Sequence, residues 1–204
     1  LAQLRADIAL TRDFAYFQTG SEGPVPDSTQ QVMFQTIREE NGPALAGGGA
    51  YGRFIVAVER ARHALAGLLH VSPDELAWTQ NTSASTRLAV SSLPWRAGDG
   101  LALSDHEHIS TRHLKRRIEQ ITGRPATIIP TSDARGFSPA RFLEELERRL
   151  TPDHQLLIVS HVSCLDGRRL PIVEATRLAH ARGVKVLIDG AQAVGQFPVN
   201  VAEA

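Results

Sequence analysis

The segment Asn81-Thr-Ser-Ala-Ser-Thr86 places an amide and several hydroxyls at the start of a predicted helix. The first N–H groups of a helix have no acceptor inside it, and the helix dipole is positive at that end. The hydroxyls of Thr82, Ser83 and Ser85 add further donors, so this turn is suited to bind a phosphate. An ordinary N-cap, which any helix uses, is an equally good interpretation of the same residues.

Two further segments carry titratable side chains directly after predicted strands. In Asp105-His-Glu-His108, the two histidines are spaced to ligate a metal, and either ring could instead stack on an aromatic ligand or simply be solvated. Asp189 ends the most apolar predicted strand, where an unpaired carboxylate is costly to bury. Lys185 is the only cation near it in sequence. We therefore expect Asp189 to pair with a positively charged group from outside the chain, such as a protonated pyridine nitrogen, or to accept hydrogen bonds from backbone amides.

Several other kinds of site are excluded or disfavoured. The single cysteine, Cys164, excludes an internal disulfide framework and a cysteine-rich zinc site. The run Gly47-Gly-Gly-Ala-Tyr-Gly52 fits a dinucleotide fingerprint but follows no predicted strand, so we interpret it as a flexible loop. With 22 basic and 22 acidic residues the net charge is zero, which argues against nucleic-acid binding. Without a signal peptide or a bilayer-length apolar run, we expect a cytoplasmic protein with no membrane partner.

The elements that must position these residues alternate between strands and helices. Strands are predicted at residues 76–79, 101–104, 126–129, 156–160 and 184–188, and helices at 28–40, 54–70, 83–93, 110–122, 139–150 and 171–182. Apolar strands separated by helices are typical of the α/β class, with a mostly parallel sheet covered by helices on both faces. Ligands of such folds lie at the carboxyl ends of the strands, where the candidate residues fall.

Five segments, taken in order, resemble the class V aminotransferase family of pyridoxal-phosphate enzymes. They are Tyr16–Pro26, Trp78–Ser83, Ser104–His108, Ser160–Ser163 with Gly167, and Val186-Leu-Ile-Asp-Gly-Ala-Gln-Ala-Val-Gly195. The family includes cysteine desulfurases, cysteine C–S lyases and isopenicillin-epimerase-like proteins. The resemblance implies the large domain of a fold-type I enzyme, truncated before its final strands and its small domain. It divides the chain into an N-terminal arm with an active-site loop, residues 1–27, and a partial cofactor-binding domain, residues 28–204.

The resemblance also implies a cofactor, pyridoxal 5′-phosphate, and a set of residues that bind it. Thr82 and Ser83 would hold the phosphate, and His108 would stack on the pyridine ring. Asp189 would pair with the ring N–H⁺, which keeps the ring an electron sink, and Gln192 would hydrogen-bond near the phenolic oxygen. His108 and Asp189 are the catalytic candidates. The complete cofactor-binding set is Asn81, Thr82, Ser83, His108, Asp189 and Gln192.

Two departures from the family pattern affect the expected activity. Cys164 stands where the sulfur-transfer branch often carries an asparagine that contacts the phenolic oxygen. A thiol is a weaker donor, and we expect Cys164 to be a small buried residue and not a persulfide carrier. The family's Schiff-base lysine follows shortly after the Asp-x-Ala-Gln motif, and neither Lys115 nor Lys185 matches it. We therefore expect these 204 residues to be an N-terminal part that is inactive alone.

The function that the resemblance favours is a pyridoxal-phosphate enzyme acting on a small amino acid, either a cysteine desulfurase or a cysteine C–S lyase, working as a homodimer. An aminotransferase or epimerase of the same family is an alternative, because the motifs bind the cofactor and not the substrate. A second alternative is a non-catalytic fragment or degenerate paralogue that lacks the Schiff-base lysine.

Overall fold

The computed structural model describes residues 2–17, 19–20, 22–134 and 136–203. Its contacts divide the chain into two units, Leu1–Ala66 and Gly67–Ala204. Gln18 and Ser21 of the predicted active-site loop lie outside the described residues, as do the terminal residues of the chain. The separate arm of residues 1–27 therefore stays a prediction.

The first unit is built from helices. They are α1 (Ala2–Ala6), α2 (Leu10–Asp13), α3 (Asp27–Glu40), α4 (Pro43–Ala46) and most of α5 (Gly49–Leu69). The N-cap of α3 is Pro26, and the Asp7 carboxylate accepts hydrogen bonds from the N–H and hydroxyl of Ser28. The predicted flexible loop at residues 47–52 is wrong from Gly49 onwards, because α5 begins there.

The second unit is a parallel sheet covered by helices. Its elements are α6 (Thr82–Ser91), β1 (Gly100–Ser104), α7 (Ile109–Thr122), β2 (Thr127–Ile129), β3 (Ser132–Asp133), β4 (Gly136–Phe137), α8 (Pro139–Arg149), β5 (His154–Ser160), α9 (Ile172–His180) and β6 (Lys185–Asp189). The four longer strands pair in the order β2-β1-β5-β6, all parallel, whereas β3 and β4 form a small antiparallel hairpin. The predicted α/β class is confirmed.

The strands bury side chains on both faces of the sheet, which explains their almost continuous apolar sequences. On one face, Ala102 and Leu157 share a core with Phe142 of α8 and Ala175 of α9. On the other face, Leu101, Leu103, Leu156 and Ile158 share a core with Val90 of α6 and Ile118 of α7. Helices therefore pack against both faces of the sheet.

The strand predicted at residues 76–79 is wrong in this structure. A 3₁₀ turn covers Pro73–Glu75, and the next four residues have no regular secondary structure. A β-prone run becomes a strand only when it is paired with a neighbour, and propensity alone does not supply that pairing. Within the described ranges, no helix is both long enough and apolar enough to cross a bilayer.

Candidate functional site

The carboxyl ends of β1, β5 and β6 lie side by side at one edge of the sheet, because the strands are parallel and in register. Leu103 pairs with Ile158, and Ser160 pairs with Asp189. The segments that follow these three strands therefore start at neighbouring points. They are residues 105–108, 161–170 and 190–195.

Helix α6 brings the segment around residue 81 towards the same edge. The carbonyl of Pro94, three residues after the end of this helix, accepts a hydrogen bond from Gln155 Nε2 near the start of β5 at 3.3 Å. The helix therefore runs back along the sheet, and its first turn points towards the carboxyl ends of the strands. Its ten residues span about 15 Å, which is close to the length of β1.

The first turn of α6 combines a cap with exposed donors. The Oδ1 atom of Asn81 accepts a hydrogen bond from the N–H of Ala84 at 2.9 Å, so Asn81 is the N-cap. The hydroxyl of Ser85 lies 2.5 Å from that of Thr79, so the two hydroxyls form a hydrogen bond within the turn. Thr82 and Ser83 are exposed, and helix geometry gives their N–H groups no acceptor within the helix. Two hydroxyls and two N–H groups at the positive end of a helix dipole can bind an anion.

His108 is the N-cap of α7, a role that the sequence interpretation missed. Its Nδ1 atom accepts from the N–H of Ser110 at 3.2 Å and lies 2.8 Å from the Ser110 hydroxyl. The cap fixes the ring while the side chain stays exposed, so a ring face is open to a flat ligand. The ring of His106 has a different partner, since its Nδ1 atom lies 3.0 Å from the hydroxyl of Ser163. In the described part of the chain, no group of three or more His, Cys, Asp or Glu residues is arranged to hold a metal.

Asp189 is half-buried at the end of β6. Its Oδ1 atom accepts from the N–H of Ala191 at 3.0 Å, and its backbone carbonyl accepts from the N–H of His161 at 2.9 Å. Asp189 therefore accepts a hydrogen bond from a backbone amide, which is one of the two alternatives that the sequence left open. A carboxylate accepts several donors, so this bond is compatible with a second, positively charged N–H partner.

Gln192 lies half-buried in the tight turn after β6. In this turn the N–H groups of Ala193 and Val194 both donate to the carbonyl of Gly190, at 2.9 and 3.1 Å. The turn places the two candidates Asp189 and Gln192 within one short segment, as the Asp-x-Ala-Gln spacing predicts.

Glu107 is the residue that sequence reasoning missed. Its side chain is buried, with 1% of its surface exposed. The Oε1 atom accepts from the hydroxyl of Ser104 at 2.6 Å and from the N–H of Ser160 at 2.8 Å, and Oε2 accepts from the Ser160 hydroxyl at 2.8 Å. Desolvation raises the pKa of Glu107 to about 7 against the opposing effect of these bonds, and the charge of Asp189 raises it further. The sequence carries no local signal for this burial, because the two donors of Ser160 come from a residue 53 positions away.

The turn after β5 folds back on itself between His161 and Leu170. The N–H of Ser163 donates to the carbonyl of Arg168 at 2.9 Å, and Gly167 has a φ of 74°, a conformation that favours glycine. Cys164 lies exposed on this turn, so the expectation that it is buried is wrong. A residue at the tip of a short turn has little structure around it to bury its side chain.

His161 is buried between β5 and an aromatic contact. Its Nε2 atom accepts from Arg169 Nε at 3.3 Å, and its ring lies edge-on to Phe197 with the centroids 5.1 Å apart. Burial lowers the pKa of His161, and the charge of Arg169 lowers it further. The ring is therefore held neutral beside the strand end that carries Asp189.

The two lysines of the chain lie away from this edge or are already paired. Lys115 on α7 forms an ion pair with Glu119 at 2.8 Å. Lys185 is exposed at the opposite end of β6 from Asp189, about 13 Å away at the usual rise per residue of a strand.

Comparison with known proteins matches this chain to one family. The family model described as aminotransferase class V matches residues 16–204. A curated relative from Methanothermobacter thermautotrophicus, named a probable cysteine desulfurase, is 29% identical over 201 residues. The match covers 97% of this chain and 48% of the relative, so the chain spans about half the length of that protein.

Solved structures of a protein named C-DES have a similar fold. One is a variant with glycine covalently linked to its PLP cofactor. It is 25% identical, with a TM-score of 0.83, and the match covers 97% of this chain and 52% of that one. The other is the cystine C–S lyase in complex with its reaction product cysteine persulfide. It is 26% identical, with a TM-score of 0.81, and the match covers 92% of this chain and 50% of that one.

Proposed function

The chain belongs to the class V aminotransferase family, and on that premise we propose that it binds pyridoxal 5′-phosphate at the carboxyl ends of its strands. One observation carries the proposal. An exposed helix N-terminus, an exposed histidine ring held by a cap and a half-buried carboxylate all belong to segments at one edge of the sheet. These are the donors and acceptors that a phosphate, a flat ring and a protonated ring nitrogen require.

Each part of this donor set fits one part of the cofactor. Thr82 and Ser83 donate N–H and hydroxyl groups to the phosphate, while Asn81 holds the turn as its cap. His108 offers a ring face to the pyridine ring. Asp189 would accept a hydrogen bond from the protonated ring nitrogen, and Gln192 would donate one near the phenolic oxygen. The site needs no basic surface, which agrees with a net charge of zero.

We further propose that the intact protein is a cysteine desulfurase or cysteine C–S lyase. The names of the relative and of C-DES support this branch of the family. When bound, the cofactor supplies an electron sink for negative charge at the α-carbon of an amino acid. The role of Asp189 is to keep the ring nitrogen protonated, and that of His108 is to hold the ring in one plane.

A homodimer in the cytoplasm is the assembly and location we propose for the intact protein. Helix α3 supports the dimer, because Val32, Met33, Phe34 and Ile37 are each more than half exposed on it. The exposed thiol of Cys164 supports a reducing compartment. Sedimentation equilibrium of the intact protein tests the dimer directly.

Binding of pyridoxamine 5′-phosphate tests the cofactor site. This ligand keeps the phosphate and the ring nitrogen but has an amine in place of the aldehyde, so it cannot form a Schiff base with Lys115 or Lys185. We expect saturable binding by the protein, measured by calorimetry, and much weaker binding of pyridoxamine, which lacks the phosphate. Asp189→Asn should weaken binding, whereas Glu144→Gln on the exposed side of α8 should not. Equal affinity for Asp189→Asn and wild type would contradict the proposed site.

Product analysis on the intact protein tests the reaction. Incubated with cysteine, a desulfurase yields alanine together with sulfur that a reductant releases as sulfide, whereas a C–S lyase yields pyruvate, ammonia and sulfide. Transfer of the amino group to a keto acid would favour the aminotransferase alternative. No turnover by the intact protein, with ligand binding retained, would favour the non-catalytic alternative.

A further inference from the structure

The carboxyl of Glu107 joins two strands at the point where the site begins. Three donors surround it: the hydroxyl of Ser104, which ends β1, and the N–H and hydroxyl of Ser160, which ends β5. Ser160 in turn pairs with Asp189 across the sheet. A single buried side chain therefore connects the end of β1 to the strand that pairs with the Asp189 strand.

The position of Glu107 in the chain couples it to the second candidate contact. It directly precedes His108, and Arg112 Nε donates to its backbone carbonyl at 3.2 Å. With its side chain fixed to β5 and its carbonyl fixed to α7, the backbone entering His108 has little freedom. The same residue therefore constrains the backbone next to His108, and its partner Ser160 adjoins Asp189 across the sheet.

We propose that Glu107 is a positioning residue of the cofactor site, which fixes the backbone at His108 and adds a second negative charge that favours a protonated ring nitrogen at Asp189. This inference rests on the proposed function. The negative charge of Asp189 disfavours ionisation of Glu107, and a cation bound at Asp189 would relieve that repulsion. A ligand with a protonated ring nitrogen should therefore bind more tightly when Glu107 is ionised.

The charged neighbours of Glu107 determine how this coupling depends on pH. The carboxyl accepts from neutral hydroxyl and N–H donors, and Arg112 contacts the backbone and not the carboxylate. Burial raises the pKa of Glu107 to about 7, so the group ionises in the range where cofactor binding is measured. The titratable or charged side chains near it in sequence or at the ends of the strands it joins include Asp105, His106, His108, Arg112, His161 and Asp189.

The first test compares the pH dependence of ligand binding in two proteins. The dissociation constant of pyridoxamine 5′-phosphate is measured for wild type and for Glu107→Gln between about pH 5.5 and about pH 8.5 by calorimetry. Titration of the free ligand is common to both measurements and cancels in the ratio. We expect the ratio of the Glu107→Gln constant to the wild-type constant to rise by about tenfold with pH, which corresponds to about one unit of pKa coupling. A ratio that stays flat would overturn the proposal.

The second test does not depend on a variant folding. With ¹³C-labelled glutamate carboxyl groups, the wild-type protein should give one signal that titrates near pH 7. Addition of pyridoxamine 5′-phosphate should move that titration to lower pH, because the bound cation favours the charged carboxylate. A titration that does not move on binding would overturn the proposal.

The Asp189→Asn variant separates failure of this inference from failure of the proposed function. If Asp189→Asn loses affinity while the Glu107→Gln ratio is flat, the cofactor site stands and the role of Glu107 is wrong. If Asp189→Asn binds as wild type does, the proposed function is wrong and the role of Glu107 is wrong with it.

Discussion

Replacing Glu107 by glutamine should remove a pH-dependent loss of stability from the protein. The side chain is 1% exposed, and desolvation raises its pKa from 4.5 to about 7. Since the pKa in the folded state lies above that of the unfolded chain, folding favours the protonated form. The stabilising contribution of that proton is complete below about pH 4.5 and is lost as the pH rises through about 7.

The size of the effect follows from the difference between the two pKa values. At about 1.4 kcal/mol per unit, a difference of about 2.5 units amounts to about 3 kcal/mol of unfolding free energy. About 2 kcal/mol of this change in unfolding free energy occurs between pH 5.5 and pH 8.5. Wild type should lose that amount relative to Glu107→Gln as the pH rises across the range.

Urea unfolding at a series of pH values measures this difference. The half-buried indole of Trp95 donates to the carbonyl of Val90 at 2.8 Å, so its fluorescence reports loss of the packing between α6 and the sheet. Glu144→Gln, which replaces an exposed glutamate on α8, is the matched control. Its unfolding free energy should equal that of wild type at every pH. The reasoning is refuted if the difference in unfolding free energy between Glu107→Gln and wild type is the same at both ends of the range.

Four further substitutions probe the elements that hold the site. Asn81→Ala removes the acceptor for the Ala84 N–H and should cost about 1 kcal/mol in thermal unfolding, with weaker binding of pyridoxamine 5′-phosphate. Gly100→Ala should destabilise by about 1–3 kcal/mol, because its methyl would lie 2.9 Å from the His154 ring. Gly67→Ala in α5 is the contrast, since no atom lies within 4 Å of the new methyl, and it should stabilise by about 0.5–1 kcal/mol. Burial lowers the pKa of His154, so the neutral ring stabilises the fold above about pH 6.5; wild type should lose more stability than His154→Asn as the pH falls below that value.

The sheet could be predicted from the sequence because its strands are short apolar runs between amphipathic helices. The strands predicted at 101–104, 126–129, 156–160 and 184–188 are confirmed to within two residues at each end. The run at 76–79 has the same local character and is not a strand, because pairing depends on neighbours that a local pattern does not contain. The hairpin of β3 and β4 was not predicted, since two-residue strands carry no periodicity.

The candidate site could be predicted only where a local pattern carries the chemistry. The cap at Asn81 follows from its place before a helix, and the strand-end position of Asp189 follows from the apolar run before it. Glu107 could not be identified in this way, because its burial depends on Ser160, a residue 53 positions away. Cys164 was placed inside because small residues are often buried, but the turn around it exposes its side chain.

The hydrogen bonds of Glu107 have a consequence for the order of folding. The carboxyl reaches a partner 53 residues away, and β1 and β5 pair only after the intervening segment, which contains α7 and α8, has folded across the sheet. Such non-local contacts form slowly, because the chain loses the entropy of loop closure before the contacts stabilise it. We therefore expect the edge that carries His108 and Asp189 to be completed late, when β1, β5 and β6 are already in register. A ligand that binds at this edge therefore stabilises the folded sheet and slows its unfolding. The same ligand has no binding site during the early steps of folding.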